Sequence, residues 1–410
     1  MSSPYIITFI LRTFTAILAI LSIHSFIRSN IGQFQASMQK TFYFWSFFLW
    51  LLPVICIRFS SETWSGLLFM LGLAQINAEE EELTVQKSWK TGVLLGLSFL
   101  CRFQSGLLFA GLFFWLLLIK KESLRNLSYL ALSWIGVLLL GIVLDWLFYG
   151  TWTLTAWNYF NVNILMDIAS SFGKVKWYKY IGDILLDAVA PVGLMVLSAY
   201  LLLLFRNPRD KIIWTITPFL LVHLIIPHKE IRFLFPVAIY APYIVFKAIQ
   251  SFNPGPASAK LMKLIHMCFL SINLLSLITA IFIVPSNGRI AITQFIYNHY
   301  RHSRVQLYVM NGNNPFVPFK TLKQRFYEMP ALKHTIIKDY SDLESIPFSE
   351  KNIHLLIIRK KDLIKDPALE NRLLVLKFKE IKSGSPRWAT TIYSLYNSGA
   401  QLQEYRLYAY

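Results

Sequence analysis

Four ionisable side chains lie together in one short stretch between two apolar segments: His228, Lys229, Glu230 and Arg232, followed by Phe233. Ionisable residues are energetically costly at membrane depth, and there they usually mark functional sites. Arg232 offers a planar fork for phosphate oxygens, Lys229 offers a point charge, and the imidazole adds a donor. Glu230 can orient one of these cations or take part in acid–base chemistry. The stretch therefore predicts a phosphate site, and the alternative interpretation is a basic loop whose charges extend to the membrane interface.

The composition places these residues in a membrane protein. The chain has 410 residues, 55% of them hydrophobic and only 15% charged, with a mean hydropathy of +0.48. These values exclude a disordered, collagenous or disulfide-scaffolded chain. The net charge of +18 is explained by membrane topology, so no nucleic-acid partner is predicted. The three cysteines have no paired spacing, and His228 and Glu230 are only two potential ligands, so neither a metal site nor a cofactor is predicted.

The apolar residues form blocks that predict about ten transmembrane helices. The blocks lie at 5–27, 41–57, 63–77, 91–101, 105–119, 127–149, 186–205, 212–226, 233–250 and 264–284. Basic residues concentrate in every second connection, and such connections are typical of the cytoplasmic side. The loop at 228–232 is then predicted to face away from the cytoplasm, and membrane lipids are the surroundings of the helices.

The chain changes character after Ser286. The tail carries 19 Lys and Arg against 10 Asp and Glu, which is half of the net charge. Strands are predicted at Val305–Met310, Ile353–Ile358, Leu373–Phe378 and Thr390–Tyr396. We therefore predict two domains, a multi-pass membrane domain over 1–285 and a small, non-cytoplasmic α/β domain over 286–410.

The stretch His228-Lys229-Glu230-Ile231-Arg232-Phe233-Leu234-Phe235-Pro236 resembles the signature of glycosyltransferase family 22. This family contains the dolichyl-phosphate-mannose-dependent mannosyltransferases of GPI-anchor and asparagine-linked glycan biosynthesis. Other stretches resemble the family in the same order along the chain. They are Arg58-Phe59-Ser60-Ser61-Glu62-Thr63, with the acid shifted, Gly92 to Phe103, Asp145-Trp146-Leu147-Phe148-Tyr149-Gly150-Thr151-Trp152-Thr153 and Asn158 to Asn163.

The resemblance implies a fold and an activity. The fold would be of GT-C type, all-α in the membrane with the α/β domain at its C-terminal end. The enzyme would transfer mannose from a polyprenyl or dolichyl phosphate to a lipid-linked glycan, with inversion at the anomeric carbon. The leaving phosphate would be bound by His228, Lys229, Arg232 and Arg102. The acceptor or its lipid would contact Arg58, Trp152 and Asn158.

The resemblance also defines where a catalytic carboxylate is expected. Members of the family begin with an additional helix and a lumenal loop that carries an acidic residue, taken to be the base. This chain has no Asp or Glu before Glu62, so we expect it to lack that helix and loop. The candidates to replace this base are Glu62, Asp145, Asp167 and Asp183, all near predicted outer loops, and Glu230 is the further catalytic residue. Asp167 and Asp183 lie in a long loop where solvated carboxylates are ordinary. For Asp145 the alternative is a structural carboxylate at the end of a helix, and Glu230 is interpreted as an orienting group.

Two further interpretations stay open. A non-catalytic binder of lipid-linked sugars, or one subunit of a split glycosyltransferase, would keep the fold and lack the acid. A transporter for an anionic substrate is a third class, although no inverted hydropathy repeat supports it. The family resemblance predicts the endoplasmic reticulum membrane in a eukaryote and the plasma membrane in a bacterium.

The aromatic residues of the loop at 150–184 predict a segment in the membrane interface. Trp152, Trp157, Trp177 and Tyr180 are among them, interleaved with lysines. Amphipathic rings typically lie at the level of the lipid headgroups, which is our interpretation of this loop. The alternative is that one of the rings stacks on a sugar.

Overall fold

The computed structural model describes residues 3–76, 82–252, 259–284, 286–310, 312–316, 326–349, 351–395 and 403–410. The described chain divides into two compact units. One comprises Leu11–Leu274, and the other comprises Met1–Ile10 with Leu275–Tyr410. The predicted domain boundary at 285 stays a prediction.

The N-terminal three-quarters of the chain is helical. Its helices are α1 (Pro4–Asn30), α2 (Ala36–Phe48), α3 (Leu51–Cys56), α4 (Ser61–Ala74), α5 (Val85–Cys101), α6 (Ser105–Phe114), α7 (Leu124–Tyr149), α8 (Thr155–Phe160), α9 (Lys179–Asp187), α10 (Ala190–Arg206), α11 (Lys211–Ile225), α12 (Phe235–Ala238), α13 (Ala241–Phe252) and α14 (Ala259–Phe282). A 3₁₀ turn over Ile231–Leu234 precedes α12.

Fewer helices than the ten predicted meet the length and hydropathy expected of a membrane span among the described residues. Within the described ranges, three helical segments are long and apolar enough to cross a membrane: Pro4–Gln33, Leu124–Tyr149 and Lys263–Phe282. Two bent helix pairs raise the number to five if each pair is one span. The first pair is α10 and α11. In the second pair, the 3₁₀ turn and α12 together precede α13. The ten-span prediction is therefore not confirmed. Its physical weakness is length, because a helix of 14 residues such as α4 extends only about 21 Å, against the roughly 30 Å of a bilayer core.

Small residues allow the central helices to pack closely. An added Cβ at Gly92 of α5 would lie 1.9 Å from the Ser133 Oγ and 2.3 Å from the Leu130 carbonyl oxygen of α7. Small residues at such contacts are typical of helix packing in membranes. On another face of α5, the Ser98 hydroxyl donates to the Ser65 carbonyl of α4 at 2.8 Å. The site described below lies where α4 begins and α5 ends.

The C-terminal unit contains a five-stranded mixed sheet in the order β2-β1-β3-β5-β4. The strands are β1 (Val305–Met310), β2 (Leu332–Ile337), β3 (Ile353–Arg359), β4 (Lys379–Ser383) and β5 (Tyr405–Ala409). The strands β1, β2 and β3 run parallel, and β5 pairs antiparallel with β3 and β4. The helices of this unit are α15 (Arg289–Tyr300), α16 (Lys360–Lys365), α17 (Leu369–Val375) and α18 (Arg387–Ser394).

Two of the four predicted strands are confirmed and two are wrong. β1 and β3 match the predicted strands. Over Leu373–Phe378 the chain forms the end of α17 instead, because Leu369 and Leu373, four residues apart, are buried on one face of a helix.

The predicted strand Thr390–Tyr396 is α18 as far as Ser394, and Tyr396 lies outside the described residues. The threonine hydroxyls of this segment bond to backbone one helical turn back. Thr390 donates to the Arg387 carbonyl at 2.8 Å and Thr391 donates to the same carbonyl at 2.9 Å. These bonds satisfy the hydroxyls within a helix, so the β-branched composition did not decide the structure.

Candidate functional site

The first turn of α4 holds a buried carboxylate. The Ser60 side chain caps the helix by accepting from the Thr63 backbone amide, so the helix begins immediately before Glu62. The Thr63 hydroxyl donates to the Ile55 carbonyl at 3.1 Å and attaches this turn to α3. As a result Glu62 is only 6% exposed. Acidic residues are rarely buried to this degree unless they are paired.

The carboxylate of Glu62 is paired with a buried guanidinium. Arg102 leaves the end of α5 in an extended conformation, and its Nη1 donates to the Glu62 Oε1 at 3.0 Å. The two side chains are 9% and 8% exposed. The Arg102 guanidinium also lies over the ring of Phe233, 4.9 Å from its centroid. The other two guanidinium nitrogens, Nε and Nη2, are buried and have no hydrogen-bond partner in the part of the chain that the structure describes.

The signature stretch forms a second charged group beside this pair. Arg232 Nη2 donates to Glu230 Oε1 at 3.0 Å, and its Nε lies 2.5 Å from Oε2. The guanidinium therefore binds both oxygens of Glu230. His228 Nε2 lies 3.1 Å from Glu230 Oε1, and Arg232 Nε lies 3.9 Å from Glu62 Oε1. Glu230 thus contacts both neighbouring basic groups, Arg232 and His228, and its orienting role stays a prediction.

A close backbone approach brings the two groups together. An added Cβ at Gly66, one turn after Glu62, would lie 2.8 Å from the Cα of Pro236. Only glycine permits α4 to approach α12 this closely. Because Pro236 follows the turn that carries Arg232, this approach places Arg232 beside the first turn of α4.

Lys229 differs from the other charged residues of the stretch. It is 7% exposed, its ammonium donates to the Ile226 carbonyl, and its Nζ lies 5.7 Å from the centroid of the Tyr180 ring. Burial lowers the pKa of Lys229 below its ordinary value. Burial by itself would raise the pKa of Glu230, but hydrogen bonds from Arg232 and His228 outweigh it and lower that pKa.

The site has a positive balance of charge and an apolar neighbour. Three basic side chains lie here with two carboxylates: Arg102 and Arg232 pair with Glu62 and Glu230, and Lys229 lies beside them over the Tyr180 ring. Ile231 and Leu234 of the same turn line an apolar cavity of about 280 Å³. The cavity is lined by residues of α3, α9, α10, α11, α12 and α13, and Asp187 is the one acidic residue among its lining residues. An anion with an attached apolar chain fits this combination of surfaces.

The remaining predicted site residues lie apart from the ion pairs. Arg58 lies over the ring of Phe235 at 5.7 Å. Asp145 accepts from the Thr155 hydroxyl of α8. Trp152 is 71% exposed and stacks on Trp146 at 5.2 Å.

Asn158 is exposed on α8. The next residue of α8 is Tyr159, whose hydroxyl accepts from Gln104 Nε2 at 2.7 Å. Gln104 follows Arg102 by two residues, so α8 lies near the end of α5. The roles of Arg58, Asp145, Trp152 and Asn158 stay predictions.

Tyr180 is the residue of the site that sequence reasoning placed wrongly. The interfacial interpretation puts it with Trp177, which is 60% exposed, but Tyr180 is only 3% exposed. The burial follows from α9, which turns this ring towards the signature stretch, where it lies under Lys229. The sequence did contain a signal for this burial. Tyr180 lies in the amphipathic helix α9, and such a helix buries one of its faces.

Comparison with known proteins gives a consistent picture. The family described as the Alg9-like mannosyltransferase family matches residues 1–312. GPI alpha-1,2-mannosyltransferase 3 of Danio rerio is 26% identical over 237 residues, which are 57% of this chain and 43% of the relative. GPI mannosyltransferase 3 of Trypanosoma brucei brucei is 33% identical over 108 residues, 23% of this chain and 18% of the relative.

GPI mannosyltransferase 3 of Candida albicans is 23% identical over 140 residues, 34% of this chain and 28% of the relative. The chain thus matches less than half the length of each of these curated relatives. No solved structure matches the chain.

Proposed function

The chain belongs to the Alg9-like mannosyltransferase family, and from this premise we propose that it is a membrane mannosyltransferase of GT-C type. The donor is mannose on a polyprenyl phosphate, and the acceptor is a lipid-linked glycan. The names of the relatives favour a glycosylphosphatidylinositol precursor as acceptor and the endoplasmic reticulum as location. The single observation that carries the proposal is the cluster of ion pairs formed by Glu62, Arg102, Glu230 and Arg232.

The cluster supplies what the leaving group of the reaction requires. Transfer forms a bond between the acceptor oxygen and the anomeric carbon of mannose and breaks the bond from that carbon to the phosphate oxygen. The departing phosphate gains negative charge, and preorganised cations stabilise such charge most effectively where water is excluded. Arg232 and His228, both bonded to Glu230, are the groups we assign to the phosphate, together with Lys229 and Arg102.

The lipid part of the donor is supported by the apolar cavity. Arg232 and the cavity-lining residues Ile231 and Leu234 belong to one short turn. A phosphate held by the charged side chains would therefore have its isoprenoid chain beside an apolar surface. The lining of this cavity is almost entirely apolar, which suits an isoprenoid chain better than the base and ribose of a nucleotide donor.

The carboxylates are assigned different roles. Glu62 and Glu230 both bind guanidinium groups, so we assign them to orienting Arg102 and Arg232. Asp145 accepts one hydroxyl hydrogen bond, and α8 leads from there towards Arg102. We therefore retain Asp145 as the candidate that takes the proton of the acceptor hydroxyl.

A transfer assay with two donors tests the proposal. The purified full chain in lipid vesicles is given labelled mannose either on a polyprenyl phosphate or on a nucleoside diphosphate, with a lipid-linked glycan acceptor. We expect label to pass to the acceptor from the lipid donor alone. Transfer from the nucleotide donor would contradict the assignment of the donor. Binding of the lipid donor with no transfer would favour the second candidate, a non-catalytic binder of lipid-linked sugars.

A further inference from the structure

Tyr180 presents a buried hydroxyl for which the protein provides no full hydrogen bond. Its side chain is 3% exposed, and among the described residues the hydroxyl has no hydrogen-bond partner. A tyrosine hydroxyl in the interior normally has one, because an unpaired buried donor costs free energy. An unsatisfied group of this kind in a native protein calls for an explanation, and a bound ligand is one.

The surroundings of this hydroxyl are basic. The Lys229 ammonium lies 5.7 Å from the centroid of the ring, and the backbone amide of Glu230 lies close to the phenol oxygen. Burial raises the pKa of Tyr180 above its ordinary value, so the phenol keeps its proton at neutral pH. Tyr180 is therefore a hydrogen-bond donor among other donors and cations.

Arg102 provides two more donors of the same kind. Its side chain is 91% buried, since 9% is exposed. Glu62 accepts from Nη1 alone, and Nε and Nη2 have no partner among the described residues. Arg102 and Tyr180 are within electrostatic range of each other. Three buried donors thus lack an acceptor in one small region that also contains Lys229.

We propose that the Tyr180 hydroxyl and the two free N–H groups of Arg102 bind the oxygens of a phosphate group carried by a polyprenyl lipid. A phosphate has three or more strong acceptor oxygens and negative charge, so it satisfies all three donors at once. Glu62 fixes the guanidinium by its remaining nitrogen, and Phe233 supports its face. This inference rests on the proposed function for the identity of the lipid, and it adds Tyr180 as a binding residue.

Binding by Tyr180→Phe tests the inference. The substitution removes one oxygen and keeps the ring under Lys229, so the melting temperature without ligand should not change. The probes are farnesyl phosphate, farnesol and inorganic phosphate, and their affinity for the full chain in detergent is measured by calorimetry. Hydrogen bonds to charged groups contribute about 1.5–3 kcal/mol, so the affinity for farnesyl phosphate should fall by about 10-fold or more. Farnesol should bind wild type and variant equally.

A matched control uses the neighbouring tyrosine. Tyr178 is 52% exposed, and Tyr178→Phe should leave the affinity for farnesyl phosphate unchanged. Two results would overturn the inference. One is that wild type and Tyr180→Phe bind farnesyl phosphate with equal affinity. The other is that the wild type binds farnesyl phosphate no more tightly than farnesol. If inorganic phosphate binds tightly and Tyr180→Phe weakens this binding, the phosphate pocket is supported. Its ligand is then the free phosphate ion, and the lipid part of the inference is overturned.

The outcomes separate this inference from the proposed function. If the wild type transfers mannose and Tyr180→Phe binds farnesyl phosphate normally, the inference fails and the function stands. If the substitution weakens binding but the wild type transfers no mannose, the pocket stands and the function fails.

Discussion

Removal of the Glu62 carboxylate should destabilise the protein strongly. The Glu62 and Arg102 side chains are 8% and 9% exposed, and their charged atoms are 3.0 Å apart. At an effective dielectric constant of about 20, this separation corresponds to an attraction of about 5 kcal/mol. Breaking a buried pair by removing one partner typically costs about 3–5 kcal/mol, because the other charge is left buried alone.

The assay is thermal unfolding of the purified chain in detergent. Each kcal/mol changes the melting temperature by about 2–4 °C in proteins of 150–250 residues, so Glu62→Ala should lower it by about 10 °C. The double variant Glu62→Leu with Arg102→Met should be less destabilised than Glu62→Ala, since no charge stays unpaired. Asp167 provides a matched control, because its ion pair with Lys174 has a similar length, 3.2 Å, but is exposed. Asp167→Ala should lower the melting temperature far less than Glu62→Ala, since its cost is limited to an alanine at a left-handed backbone position and an exposed ion pair.

Two results would refute this reasoning. One is additivity: the decrease in melting temperature of the double variant would equal the sum of the decreases of Glu62→Leu and Arg102→Met. This would mean that the two charges are not coupled. The other is a change for Glu62→Ala as small as that for Asp167→Ala, which would mean that the pair is not buried in the membrane-embedded protein.

Two further predictions concern helix packing and pH. Gly92→Ala should lower the melting temperature, because its Cβ would lie 1.9 Å from the Ser133 Oγ, whereas Gly136→Ala, with no atom within 4 Å, should not. Equal effects of the two alanines would contradict the close contact of α5 with α7. The pKa of Glu230 in the folded protein lies below its ordinary value of 4.5. The ion pairs of Glu230 therefore stabilise the fold fully above about pH 4.5. This stabilisation is lost as the pH falls through the pKa of the folded state. The difference in melting temperature between wild type and Glu230→Gln should shrink as the pH falls below about 4.5. A difference that stays unchanged down to about pH 3 would contradict this assignment.

The sequence predicted the charged stretch well because its information is local. His228, Glu230 and Arg232 lie within five residues, so their mutual contacts depend on one turn. The family resemblance also singled out Glu62 and Arg102, which are 40 residues apart. Their pairing follows from the antiparallel packing of α4 on α5, and no local pattern contains that information.

Other predictions failed where tertiary packing decides the outcome. Tyr180 has the composition context of an interfacial aromatic. The amphipathic pattern of α9 indicates a buried face, but it does not show that this face packs against the signature stretch. The strand predicted at Leu373–Phe378 has apolar residues that suit either a strand or a helix, and the burial of Leu369 with Leu373 selected the helix. Apolar blocks coincide with helices, but the ten-span count is not confirmed. Hydropathy shows neither the bends within α10–α11 and α12–α13 nor whether a short helix crosses the membrane.

Replacement of Arg232 by lysine measures the central claim most directly. Lysine keeps the charge but cannot bind both oxygens of Glu230 or present a planar fork to a phosphate. The measured quantity is kcat/KM for mannose transfer from the polyprenyl-phosphate donor, with Arg206→Lys, remote in sequence from the signature stretch, as the control. We predict that Arg232→Lys lowers kcat/KM by at least about 10-fold, that KM for the acceptor is unchanged, and that Arg206→Lys behaves as wild type. Wild-type kcat/KM in a folded Arg232→Lys variant would contradict the assignment of this cluster to the donor phosphate.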